Sequence, residues 1–228
     1  MPVFLLNDKL AFPSPECAEN NGLLAVGGDL SLERLLLAYR SGIFPWYPEE
    51  SPILWWSPDP RLVLIPKELR VSRSLGQAIR KGIFTVTMDT AFEDVINHCA
   101  EIRRDKDEGT WLTSAMIDAY IGLHKAGFAH SVESWHDGNL AGGLYGVALG
   151  SVFFGESMFS LMANASKVAF VKLVDQLTGW NFSLIDCQVT TGHLMRFGAR
   201  EIPRKLFLDM VRDALNVPRR KGKWVVYG

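Results

Sequence analysis

The chain has few cysteines and no pattern among them. Cys17, Cys99 and Cys187 are far apart, odd in number, and make no C-x-x-C in 228 residues. That argues against a disulfide framework and fits a reducing compartment. Charge of one sign is also missing. Lys and Arg total 24 against 25 Asp and Glu, for a net charge of −1. No overall basic field invites a polyanion, so any nucleic acid has to be met by a local patch. Long apolar runs are absent too, and MPVFLLNDKLAF lacks the basic start of a signal peptide. The expected setting is the cytoplasm, with no membrane partner. The five histidines, His98, His124, His130, His136 and His193, stand at no familiar zinc spacing, and no metal is expected. There is no G-x-G-x-x-G. GGLYG at 142–146 lies inside a strand pattern, where glycine marks a bulge or a close backbone approach. GESMF at 155–159 has Phe159 where a nucleophile elbow needs glycine, which argues against a serine hydrolase.

What is present is an ordinary globular composition, 48% hydrophobic and 21% charged, enough for a large core with a small companion. Residues 1–62 have their own texture. Asp29 or Ser31 is placed to cap a helix carrying Leu32, Leu35, Leu36 and Tyr39, with Gly42 after it. The stretch GIFPWYPEESPILWWSPDPR holds so many prolines and aromatics that it reads as irregular. From residue 63 to 228 helices and strands alternate. LVLI and IFTVTMD read as strands around a short helix, SRSLGQAIRKG. Thr90 and Glu93 suggest a capping box for a helix to about Cys99. EIRRDKDEGT reads as a charged loop. A helix with Met116, Ile117, Tyr120 and Leu123 on one side precedes three strands, FAHSVESW, LAGGLYGVAL and SVFFGE, the last stopping at Gly155. Asn164 looks like a cap for the helix that follows, FSLIDCQV is another strand, and Pro203 opens the last helix. The sum is α+β, a largely antiparallel sheet with helices between strands.

Several residues invite a chemical reading. In LIDCQV the strand period places Asp186 and Gln188 together, away from Cys187. They are either a satisfied structural pair or a relay in which Asp186 orients Gln188 toward a substrate. Glu156, at the end of an apolar run, is either a salt-bridge partner or an acid that holds an ammonium group or takes its proton. Arg70, Arg73, Arg80 and Lys81 flank one helix and form either a solvated face or a phosphate patch. Trp46, Trp55, Trp56 and Trp111 supply aromatic surface suited to bases or apolar side chains.

Taken together, NGLLAVGGDLS, GIFPWY, LWWSPDPR, EGTWLT, AHSVESW, GGLYGVALG, GESMFS, NASKVA, LIDCQV and FGAREIPR resemble the leucyl/phenylalanyl-tRNA–protein transferase family, in the right order and over nearly the whole chain. The resemblance implies a small irregular N-terminal domain, then a GNAT-like, FemABX-like domain with a mixed, mainly antiparallel sheet, and no cofactor, acetyl-CoA included. It implies transfer of Leu or Phe, less readily Met, from aminoacyl-tRNA to the α-amino group of proteins beginning with Arg or Lys. That transfer marks the acceptor for N-end rule degradation. By match to the family, Asp186 and Gln188 form the catalytic relay and Glu156 holds the acceptor. Trp46, Trp111, Phe153, Met158 and Ile185 line the amino-acid pocket, and Arg73, Arg80 and Lys81 meet the tRNA acceptor stem. Leu173 and Leu177 stand where some relatives are aromatic, and Gln77 where some are basic. Two rivals are a small-molecule acetyltransferase, which needs a pyrophosphate-binding loop, and a non-enzymatic module that binds basic N-termini or tRNA ends.

Overall fold

The structure, a computed structural model, describes residues 3–104, 112–218, 220 and 222–225. The first part of the chain forms β1 (Phe4–Leu6), β2 (Leu23–Gly27), α1 (Leu32–Arg40), β3 (Phe44–Pro45) and β4 (Leu54–Trp56). Its four strands make a sheet in the order β1-β2-β4-β3. The proline-rich stretch is therefore more regular than its composition suggests. Its strands are only two or three residues long, too short to show a period of two. Buried Trp55 ties them together, its indole N–H donating to the Gly27 carbonyl at 2.9 Å. Ser31 caps α1 by accepting the Arg34 N–H.

The rest supplies β5 (Arg61–Leu64), α2 (Arg73–Arg80), β6 (Thr85–Met88), α3 (Phe92–Arg104), α4 (Ser114–Lys125), β7 (Ala129–His136), β8 (Asn139–Leu149) and β9 (Val152–Ser160). It continues with α5 (Ala165–Gly179), β10 (Leu184–Gln188), α6 (Gly192–Met195), β11 (Arg200–Ile202) and α7 (Arg204–Leu215). The seven strands from β5 onward form one mixed sheet, β11-β5-β10-β9-β8-β7-β6. Only β9 and β10 pair in parallel. Alternating side chains feed two apolar layers. Phe154 and Leu184 join Leu35, Val95, Met116 and Phe207 on one side, while Phe153 and Ile185 join Leu75 and Val168 on the other.

Local expectations fail where tertiary contacts compete. α3 runs past Cys99 to Arg104. Thr90 bonds the Thr87 hydroxyl and the Glu133 carboxylate rather than a helix end. Asn164 stands at the start of α5 in the left-handed region, φ 72°, and its side chain caps nothing. The short α6 and β11 carried no periodic signal.

The largest departure concerns β9, which does not stop at Gly155 but continues to Ser160. Tyr145 pairs with Ser157 and the next residue, Gly146, with Gly155, so Glu156 is the extra residue of a β-bulge. The bulge shifts the alternation by one. Phe154 and Phe159 share one layer, and Phe153 and Met158 the other. Bulges re-aim a side chain without ending a strand. Gly146 lies opposite this kink, and a Cβ there would stand 2.2 Å from the Phe154 carbonyl oxygen. Gly146→Ala is therefore expected to displace the bulge and cost about 1–3 kcal/mol, as overpacking does. Urea unfolding would measure it, and an unchanged midpoint would show that the bulge does not need glycine.

Candidate active site

β9 and β10 pair through Val152–Phe154 and Leu184–Asp186. Beyond that point β10 ends at Gln188, where φ turns to 61° and the register with β5 shifts, while β9 runs on. Between the parted strands lies a cavity of about 260 Å³, walled by Phe153, Met158, Phe170, Leu173 and Ile185 and bordered by Glu156, Asp186 and Gln188. It is smaller than the ~300–1,000 Å³ of most small-molecule sites, a size for one side chain.

Glu156 is partly exposed but held on all sides. Tyr39 of α1 donates to its Oε1 at 2.8 Å, and Tyr120 of α4 donates to its Oε2 at 2.9 Å. The two hydroxyls also touch each other. Gln188 Nε2 donates to Oε1 at 2.8 Å. A carboxylate only accepts, so the amide must present its NH₂ here, leaving Gln188 Oε1 as a free-facing acceptor. Burial pushes the Glu156 carboxyl up to about 7, and the Asp186 charge adds to this against hydrogen bonds from Tyr39, Tyr120 and Gln188 that lower it. Burial, then the Glu156 charge, raises both tyrosines well above the ordinary phenol value, so they remain donors.

Asp186 is fully buried and makes a two-pronged ion pair with Arg61 of β5, Nε to Oδ1 at 2.8 Å and Nη2 to Oδ2 at 2.7 Å. Phe44 and Phe207 flank the guanidinium at 4.8 and 4.4 Å. Asp186 Oδ1 also accepts the Gln188 main-chain N–H at 2.9 Å. The link between Asp186 and Gln188 therefore runs through the backbone, which it holds at the positive φ.

Phe153, Met158 and Ile185 all line this cavity. Trp46 does not. It is 44% exposed and packs edge-on against Trp56, whose N–H bonds the Trp46 carbonyl. Trp111 lies outside the described residues. Arg73, Arg80 and Lys81 lie on or just after α2, exposed, and among the described residues no carboxylate pairs with them. Arg61, Tyr39 and Tyr120 escaped the sequence reading. Each sits at an ordinary core or strand position, and only a polar side chain among apolar neighbours hinted at more. Among the described residues no three His, Cys, Asp or Glu side chains gather to hold a metal, and no helix is long and apolar enough to cross a membrane.

Besides Glu156 and Gln188, the cavity wall includes Ser157, Thr191 and a thiol. That thiol, Cys187, is held protonated by burial and then by the Asp186 charge. A carboxylate and an amide oxygen beside an apolar hole suit a transferase whose two substrates react with each other, one of them an amine. Residues 63–212 match the model of the leucyl/phenylalanyl-tRNA protein transferase family, and residues 28–59 match that of its N-terminal domain. A leucyl/phenylalanyl-tRNA–protein transferase of Syntrophobacter fumaroxidans is 63% identical over 96% of this chain and 92% of its own length. One of Desulforapulum autotrophicum is 57% identical over the whole of both chains. The chain belongs to the leucyl/phenylalanyl-tRNA protein transferase family and is an aminoacyltransferase. Solved structures are more distant: a conserved protein of Staphylococcus epidermidis is 9% identical over 79% of this chain and 68% of its own, with a TM-score of 0.43, too slight a likeness to argue from.

Removing Arg61 leaves the Asp186 charge buried and alone. Arg61→Ala is expected to cost about 3–5 kcal/mol in urea unfolding, while Arg61→Ala with Asp186→Ala costs less than the sum of the two single changes. Additive losses would mean that the pair is not coupled.

Proposed function

We propose that the protein moves leucine or phenylalanine from aminoacyl-tRNA onto the α-amino group of proteins beginning with Arg or Lys, marking them for N-end rule degradation in the cytoplasm. The observation that carries the catalytic reading is the Glu156–Gln188 hydrogen bond at the mouth of the apolar cavity. The parallel pair that parts at the site supports a GNAT-like, FemABX-like second domain, preceded by a small N-terminal domain.

In this reading the esterified Leu or Phe side chain enters the cavity against Phe153, Met158, Leu173 and Ile185. Its ester carbonyl lies toward Gln188 and Glu156. The acceptor's terminal ammonium arrives at Glu156, whose carboxyl is poised near neutrality and so can both hold the cation and take its proton. Gln188 Oε1 accepts a second N–H and aims the nitrogen lone pair at the ester carbon. An amide is a feeble base, so its part is positioning, and proximity supplies much of the rate. The nitrogen–carbon bond forms as the ester carbon–oxygen bond breaks, and the proton leaves with the terminal ribose hydroxyl. Arg73, Arg80 and Lys81 of α2 meet acceptor-stem phosphates. Such contacts read backbone rather than sequence, which suits an enzyme that takes more than one tRNA.

Radiolabelled Leu-tRNA mixed with a peptide beginning with Arg is expected to label the peptide. In the wild type the acidic limb of kcat/KM for the peptide should turn at about 7, where Glu156 loses its proton on rising pH. In Glu156→Gln that limb should move to about 8, because only the peptide's own amine then titrates. Absence of label would sink the transferase reading. Superimposable profiles would remove Glu156 from the proton path.

A further inference from the structure

A second cavity, of about 160 Å³, opens beside the first and shares His193 with it. Its walls come from three places in the chain. Arg70, Ser72 and Ser74 lie ahead of and within the first turn of α2, Asn164 and Lys167 lie at the start of α5, and His193 and Arg196 lie on and just after α6. Three permanent cations, two hydroxyls, an amide and an imidazole line the hollow, and no carboxylate does. Elsewhere Arg34, Arg61, Arg200 and Arg212 each have an acidic partner. Among the described residues none pairs with Arg70, Lys167 or Arg196. Lys167 is half-buried, and its contact is a neutral one, the Asn164 side-chain oxygen at 3.4 Å. His193 Nε2 is buried with no hydrogen-bond partner among the described residues.

Like charges gathered at one concavity repel unless an anion joins them, and arginine, lysine and hydroxyl donors are the groups that bind phosphate. The repulsion registers on His193. Burial first, then Lys167 and Arg196, holds its imidazole below the ordinary range, so at neutral pH it is uncharged and offers one N–H. The volume exceeds the roughly 30 Å³ share of a water several times over, room for a tetrahedral oxyanion.

We propose that this second cavity seats a phosphodiester of the donor's 3′ end; the inference rests on the transferase reading above. The shared wall at His193 puts the phosphate next to the aminoacyl cavity, so the linkage it suits is the one between the last two nucleotides. Arg73, Arg80 and Lys81 extend the positive surface along α2 for phosphates farther from the ester. Arg70, Lys167 and Arg196 thus register the aminoacyl ester over Glu156 and Gln188, whereas the α2 cations serve the rest of the stem.

The test compares three donors: leucyl-adenosine, which has no phosphate; leucylated CpCpA; and leucylated CpCpA whose C–A linkage is a neutral methylphosphonate. Arg70→Gln, Lys167→Gln and Arg196→Gln are each expected to lower kcat/KM for leucylated CpCpA by about fivefold to tenfold. The same changes should leave leucyl-adenosine and the methylphosphonate donor unaffected, because the charge they recognise is already gone. Equal losses on all three donors would show that the side chains only shape the fold. No loss on leucylated CpCpA would place the phosphate elsewhere. Either result overturns the seat while leaving the transferase reading intact. A wild type that transfers leucine from none of these donors, nor from Leu-tRNA, would instead overturn the reading itself.

Discussion

A buried ion pair stands at the point where the sheet opens. Arg61 and Asp186 are 1% and 0% exposed, and they sit on neighbouring strands, one opening the seven-stranded sheet in the sequence and the other near its end. Burying two charges is expensive, and such pairs are weak contributors to stability compared with a well-packed apolar alternative. Their use here is geometric. The planar fork of Arg61 accepts only one orientation of the carboxylate, and the carboxylate's Oδ1 in turn holds the Gln188 N–H. Gln188 is thereby kept at a positive φ that a side-chain-bearing residue rarely adopts. Phe44 of the first sheet and Phe207 of α7 close over the guanidinium. The early part of the chain thus helps to hold the site's charged groups in place.

Glu156 depends on a different device for a similar end. Its bulge turns it toward Tyr39 and Tyr120, whose hydroxyls fix both carboxylate oxygens. Three donors would ordinarily keep a carboxyl ionised, yet desolvation outweighs them and the group titrates near neutrality. A carboxylate of ordinary acidity would bind a cationic N-terminus but would be a poor base for its proton. A fully neutral one would not attract the cation. The balance between burial and hydrogen bonding places the group between these limits, where holding and deprotonating an ammonium are both within reach.

Much of this was legible in the residues. The strands β7, β8 and β10, a cap at Asp29 or Ser31, the helix around Met116 and Tyr120, and the pairing of an acid with an amide in LIDCQV follow from period and residue type. The bulge did not, because a single inserted residue breaks a period of two, and the run VFFGE then reads as a strand that stops. Three strands of the first sheet were hidden by brevity, since two- and three-residue strands have no period to detect. Arg61 was hidden by its neighbours: at the end of SPDPR an arginine looks like a solvated loop residue, and only the register of β5 against β10 brings it to Asp186. Tyr39 and Tyr120 fell on the apolar faces of their helices and read as core, which they also are. Trp46 is the converse case. An aromatic in a family-like stretch suggested pocket lining, but local pairing with Trp56 keeps its ring at the surface.

Specificity in such a site has to be divided between its two cavities. The apolar one is small, so in the proposed reading it ranks side chains by size and by the cost of burying polar groups. A methylene there is worth only about 1–3 kcal/mol of discrimination. That is too little to choose a donor from the mass of aminoacyl esters by side chain alone with high fidelity, and it gives the cavity no means of telling a nucleic-acid ester from any other ester. The basic cavity has the complementary weakness, since phosphate contacts carry no information about the amino acid or the base sequence. With His193 on the wall of both, the proposed donor has to satisfy the two hollows at once. Geometry between an apolar side chain and a charged linkage then becomes the selected property. A strand end inside the sheet, with Gln188 locked by Asp186 and Arg61, is the kind of support that such a distance requirement needs.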